Sequence, residues 1–118
     1  MFLKKLIEIK VPGSKSITNR ALVLSAMANG STKIENAAIC DDTKYMLKAL
    51  NKLGVKVDQK NTNIFIKGAN NNFTKKKTLI KIYTGNAGTT TRFLSALATI
   101  TGNTVEINGD KRMRERPR

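Results

Sequence analysis

Apolar and charged residues alternate from Ile7 through Glu8, Ile9 and Lys10 to Val11, which is the two-residue period of a strand with one buried face. A strand is predicted at about residues 5–11. An apolar, alanine-rich run from Ala21 to Ala28 follows, and a helix is predicted from about Lys15 to Ala28, closed by Asn29-Gly30. Thr32 to Glu35 reads as a short strand. Asp41 and Asp42 are expected to cap a second helix, in which Met46, Ala49, Leu50 and Leu53 recur at three- and four-residue intervals and form the buried stripe. Gly54 stops that helix. Val55-Lys56-Val57 and Ile64-Phe65-Ile66 alternate as two strands of a hairpin around the polar turn Gln59 to Asn63. Residues 68–78, with Asn70-Asn71-Asn72 and Lys75-Lys76-Lys77, read as a surface loop. The order to this point is βαβαββ.

The pattern then starts again. Leu79 to Tyr83 reads as a strand, Thr84 to Thr89 as a glycine turn with hydroxyls, and Thr90 to Ile100 as a helix ended by Gly102. Thr104 to Ile107 is a further strand. Gly13 precedes Arg20 by seven positions, and Gly85 precedes Arg92 by seven. The fold class is therefore α/β (α+β), with one full βαβαββ unit over about residues 1–68 and the start of a second over about 79–118. A pattern that stops partway through a unit is expected to be the incomplete part of a larger domain.

Three stretches carry chemistry. Pro12-Gly13-Ser14-Lys15-Ser16-Ile17-Thr18-Asn19-Arg20 ends a strand and opens a helix, so hydroxyls, a lysine and an arginine meet free backbone N–H groups and the positive end of a helix dipole. A phosphate or carboxylate suits such a place; Lys15 adds a mobile point charge and Arg20 a planar fork. Taken singly these residues also have plainer readings, Ser14 as a helix cap and the cations as solvated surface. In the second turn, Gly85 and Gly88 permit close approach of the backbone and Asn86 and Thr89 add polar contacts; the plainer reading is a turn that needs glycine for its dihedrals. The third stretch, Gly109 to Arg118, is rich in arginine, and reads either as a basic tail or as a clamp on a carboxylate or phosphate.

Composition narrows the choices. No histidine is present, so histidine acid–base catalysis and histidine metal ligation are excluded within these 118 residues. The single cysteine, Cys40, has no partner for an internal disulfide and no histidine to activate it. The net charge of +14 raises nucleic acid as a partner, but aromatic residues make up only 5% and are not interleaved with the basic ones. Lys44, Lys48 and Lys52 fall at successive helical turns and read as a solvated face. The N-terminus lacks the apolar core of a signal peptide and no run is long enough to span a bilayer, so a cytoplasmic protein with no membrane contact is expected.

In order and spacing, the Pro12–Arg20 stretch, Gly85-Asn86-Ala87-Gly88-Thr89-Thr90-Thr91-Arg92 and Gly109-Asp110-Lys111-Arg112-Met113-Arg114-Glu115-Arg116-Pro117 resemble the N-terminal signatures of the EPSP synthase (3-phosphoshikimate 1-carboxyvinyltransferase) family. Asp41-Asp42-Thr43, Met46-Leu47 and Leu53-Gly54-Val55 also look like that family. The resemblance implies enolpyruvyl transferase units. It implies an enzyme of aromatic amino-acid biosynthesis, in the shikimate pathway. Such an enzyme transfers the enolpyruvyl group of phosphoenolpyruvate to the 5-hydroxyl of shikimate 3-phosphate and releases phosphate, without metal or organic cofactor. By the same resemblance Lys15 contacts phosphoenolpyruvate and shikimate 3-phosphate, Ser16 and Arg20 hold shikimate 3-phosphate, Asn86 and Gly88 border phosphoenolpyruvate, and Arg112 clamps it. Glyphosate is expected to compete there. Family members are longer, with two domains and a cleft between them, and their proton-transfer groups come from the second half. No catalytic residue is therefore assigned among these 118 residues, and no turnover is expected of them alone. The expected state is a monomer. A non-catalytic anion-binding module and a basic nucleic-acid binder remain as alternatives.

Overall fold

The computed structural model describes residues 6–10, 13–69, 73, 79–85 and 87–109. They form β1 (Ile7–Lys10), α1 (Lys15–Met27), β2 (Ser31–Glu35), α2 (Asp41–Lys52), β3 (Lys56–Lys60), β4 (Asn63–Lys67), β5 (Ile80–Tyr83), α3 (Gly88–Thr101) and β6 (Val105–Asn108). The mixed α/β class expected from the periodicities is the class observed.

Four strands make one sheet in the order β1-β2-β4-β3, with β1 parallel to β2 and the other two pairings antiparallel. The strands β5 and β6 pair in parallel as a second sheet. Strand, turn, helix and parallel strand thus occur twice, as β1-α1-β2 and as β5-α3-β6. Parallel neighbours need a crossover, and the helix supplies it.

The register explains the burial. Ile34 lies opposite Ile64 and Thr32 opposite Ile66, and all four are buried under the helices. Leu22 and Ala26 of α1, Met46 and Leu50 of α2, Leu53, and Leu94 and Leu97 of α3 complete one continuous core. The helices α1 and α2 pack on the four-stranded sheet, α3 packs on β6, and all three helices touch one another. Among the described residues no helix is long and apolar enough to cross a membrane.

Several boundaries differ from expectation. Asp41 and Asp42 do not cap α2: Cys40 is the N-cap, and the Thr43 hydroxyl accepts the Cys40 N–H at 3.0 Å. The two aspartates instead fill the first turn, where their charge favours the positive end of the helix. The hairpin turn is tighter than Gln59 to Asn63, because β3 and β4 stay paired as far as Lys60 and Asn63. Asn61, with φ 53°, takes the left-handed backbone this requires. Within the span read as a surface loop, Phe73 is buried in the core. Gly68 and Ala69 are tied back as well, donating to Gly30 O at 2.8 Å and Ala26 O at 2.7 Å. Lys44 and Lys48 are solvated, but Lys52 donates to Lys81 O at 2.6 Å and straps the end of α2 to β5.

Candidate anion-binding site

The first glycine turn is built by backbone geometry and one cap. Gly13 has φ 72°, in the left-handed region, and a Cβ there would meet only Asn36 O at 3.9 Å. Conformation rather than crowding therefore favours glycine. Ser14 has extended backbone, and its Oγ accepts the Ile17 N–H at 3.3 Å, so its plainer reading as a cap is realised. Lys15 is the first residue of α1, with its side chain 59% exposed and its Nζ 3.4 Å from Asp42 Oδ2. Ser16 is half-buried and Arg20 exposed on the same helix. Thr18 turns inward, and its Oγ1 accepts the Ala38 N–H at 3.1 Å, pinning the segment between β2 and α2 to α1.

The second glycine turn is held by threonines. Gly85 has φ 56°, and a Cβ there would meet the Tyr45 ring at 2.7 Å. Here both conformation and close approach require glycine. Thr84 is fully buried; its N–H donates to Asn108 O, and its Oγ1 lies 2.8 Å from Thr91 Oγ1. The Thr91 hydroxyl also reaches back to Ala87 O at 2.9 Å. Gly88 is the first residue of α3 and is half-buried.

The two turns are joined by a chain of contacts through α2. Lys15 Nζ pairs with the Asp42 carboxylate, and the Asp42 carbonyl accepts from Thr90 Oγ1 at 3.1 Å. Thr90 Oγ1 in turn accepts from Asn19 Nδ2 at 3.2 Å. Lys15, Asp42 and Thr90 each lie in the first turn of their helix, so the N-terminal ends of α1, α2 and α3 gather at one place. Asp41 and Asp42 occupy the positive end of α2, whereas the first turns of α1 and α3 carry no acidic residue, so their backbone N–H groups and dipole ends, with the mobile Lys15 cation beside them, are chemistry suited to an oxyanion.

Of the site residues expected from the sequence, Lys15, Ser16, Arg20 and Gly88 lie on the two helices whose starts this chain joins. Asn86 and Arg112 lie outside the described residues. Asn19 and Thr90 lie inside the motifs without an expected role, and Asp42 was expected only as a helix cap. A signal for Asn19 existed: with Leu22 and Ala26 it falls on the buried stripe of α1, where an amide needs a partner. Among the described residues no three His, Cys, Asp or Glu side chains gather into a metal-binding group.

A βαβαββ unit whose helix starts are linked beside two glycine turns defines the class: a mixed α/β protein with two strand–turn–helix units. The chain belongs to the EPSP synthase (3-phosphoshikimate 1-carboxyvinyltransferase) family, whose model matches residues 6–118. It is 48% identical over 112 residues to the 3-phosphoshikimate 1-carboxyvinyltransferase of Buchnera aphidicola subsp. Cinara cedri, covering 93% of this chain and 26% of that protein. It is 44% identical over 106 residues to the enzyme of the same name from Rhizobium etli, covering 90% of this chain and 25% of that one. Among solved structures it is similar to EPSP synthase from Acinetobacter baumannii, with a TM-score of 0.75 and 26% identity over 95% of this chain and 26% of that one. The chain therefore spans about a quarter of the length of the curated relatives it matches.

Proposed function

We propose that this chain supplies the N-terminal part of an enolpyruvyl transferase that moves the enolpyruvyl group of phosphoenolpyruvate to the 5-hydroxyl of shikimate 3-phosphate. The hydroxyl oxygen loses its proton and adds to C2 of phosphoenolpyruvate, the carbon that bears the phosphate, while C3 gains a proton, giving a tetrahedral intermediate; loss of phosphate from C2 and of a proton from C3 restores the double bond. Each substrate carries a phosphate and a carboxylate, so the binding region must offset several negative charges at once. Lys15, Ser16 and Arg20 are the proposed contacts to shikimate 3-phosphate. Lys15 reaches phosphoenolpyruvate too, Asn86 and Gly88 border it, and Arg112 clamps it. The proton-transfer groups belong to the remainder of the domain pair, of which residues 1–68 and 79–118 form one unit and the start of another. The working protein is taken to be monomeric and cytoplasmic, acting on small anions rather than nucleic acid.

The observation that supports this reading is the Lys15–Asp42–Thr90–Asn19 chain, because it links the starts of the two helices that follow the glycine turns of the family signature. Isothermal titration of the purified chain with shikimate 3-phosphate tests it. Saturable binding that Lys15→Met weakens is the expected result, and a folded chain that binds nothing overturns the reading. In a steady-state phosphate-release assay the same chain is expected to show no turnover.

A further inference from the structure

We propose that Asn19 is a positioning residue that sets the separation of the two anion-binding turns; this rests on the binding roles proposed above. Asn19 and Thr90 are both fully buried. Neither can touch a ligand, and each acts through its exposed or half-buried neighbours. Asn19 lies one turn after Lys15 and beside Arg20; Thr90 lies two residues after Gly88. Their hydrogen bond, 3.2 Å from Nδ2 to Oγ1, joins the start of α1 to the start of α3 across 71 positions of sequence. Thr90 passes the link to the Asp42 carbonyl, whose own carboxylate holds Lys15.

Stability alone does not account for an amide at this position. Asn19 Oδ1 has no hydrogen-bond partner among the described residues. A buried amide whose oxygen is unpaired among the described residues keeps a desolvation penalty that an apolar side chain would avoid. What the amide adds is direction. Apolar contact tolerates sliding and rotation of one helix on another, whereas an N–H···O bond has a narrow range of length and angle. The Asn19–Thr90 bond therefore holds α3 in one register on α1, and with it the spacing between Lys15 and Gly88.

The test uses the full 118-residue chain with three substitutions. Thr90→Val keeps the side-chain shape and removes both hydrogen bonds, Thr90→Ser keeps the hydroxyl, and Asn19→Ala removes the amide. Two quantities are measured: the Kd for shikimate 3-phosphate, and the amide resonances at the start of the opposite helix, Lys15 and Ser16 for the Thr90 variants and Gly88 and Thr89 for Asn19→Ala. Thr90→Val and Asn19→Ala are expected to weaken binding about tenfold and to shift those resonances, while Thr90→Ser stays within about twofold, as for loss and retention of one buried bond. Should Asn19→Ala fail to fold, Thr90→Val decides the matter, because it leaves no cavity. Unchanged resonances and unchanged affinity in a folded Thr90→Val chain overturn the proposal, as does a Thr90→Ser chain that behaves like Thr90→Val. If the unsubstituted chain binds no shikimate 3-phosphate, the reading of function falls. The positioning role is then decided by the resonances alone, supported if Val moves them and Ser does not, overturned otherwise.

Discussion

The Lys15 ammonium lies 3.4 Å from Asp42 Oδ2 and links the first turns of α1 and α2. With the lysine side chain 59% exposed, such a pair contributes about 0–1 kcal/mol, so it orients Lys15 without committing it. An incoming anion competes with one carboxylate for one ammonium. Asp42→Asn is therefore expected to tighten binding of shikimate 3-phosphate about threefold, with the gain shrinking as salt is raised. Lys15→Met is expected to weaken it about tenfold or more, since a charge-assisted contact is lost. Calorimetry at two ionic strengths checks both.

Gly13 and Gly85 share a left-handed backbone but not the same surroundings. Gly13→Ala is expected to cost about 1–2 kcal/mol, the price of a left-handed alanine, because the nearest atom to the new Cβ is 3.9 Å away. Gly85→Ala adds a collision with the Tyr45 ring at 2.7 Å, and that ring is itself packed on Tyr83 with centroids 5.6 Å apart. Its expected cost is about 2–4 kcal/mol, backbone strain and overpacking together. Urea unfolding of the two variants side by side gives the difference.

Gly68 is intolerant for a different reason. It has no positive φ, yet a Cβ would lie 1.9 Å from Ala28 O and 2.7 Å from Ser25 O. Both are backbone atoms, and the Gly68 N–H is bonded to Gly30 O at 2.8 Å, so neither side can give way easily. Gly68→Ala is expected to be the most damaging of the three glycine substitutions, at about 3 kcal/mol or more. Loss of folded signal by circular dichroism and a large fall in soluble yield are the readouts.

Thr43 opens α2. Its hydroxyl accepts the Cys40 N–H and donates to the Cys40 carbonyl, both at 3.0 Å, and the residue is fully buried. Thr43→Val keeps the shape and strands both groups, so a loss of about 1–2 kcal/mol is expected. Thr43→Ser should recover most of it, as thermal unfolding would show.

The elements were legible because their periodicities are local. The stripe of Met46, Ala49, Leu50 and Leu53 marked α2, and the alternation around Ile64 and Ile66 marked β4. The start of α2 was misplaced by one residue because aspartate is a common cap, and only the Thr43 hydroxyl shows that Cys40 is the cap here. Phe73 was hidden by its polar neighbours Asn70, Asn71, Asn72 and Lys75. A lone aromatic in such a stretch carries no period, so its burial was not visible.

From the chain alone came the order βαβαββ, its second start, and two glycine turns leading into helices with cationic side chains close behind. Those features depend on neighbours within a few residues, which periodicity and turn chemistry report directly. Only the folded chain decided that Asn19 would meet Thr90, that Asp42 would hold Lys15, and that the first turns of three helices would be linked to one another. A hydrophobic stripe states which face of a helix is buried but not against what. That choice is made by the packing of α1, α2 and α3 on one another, where a single hydrogen bond between distant residues selects the register.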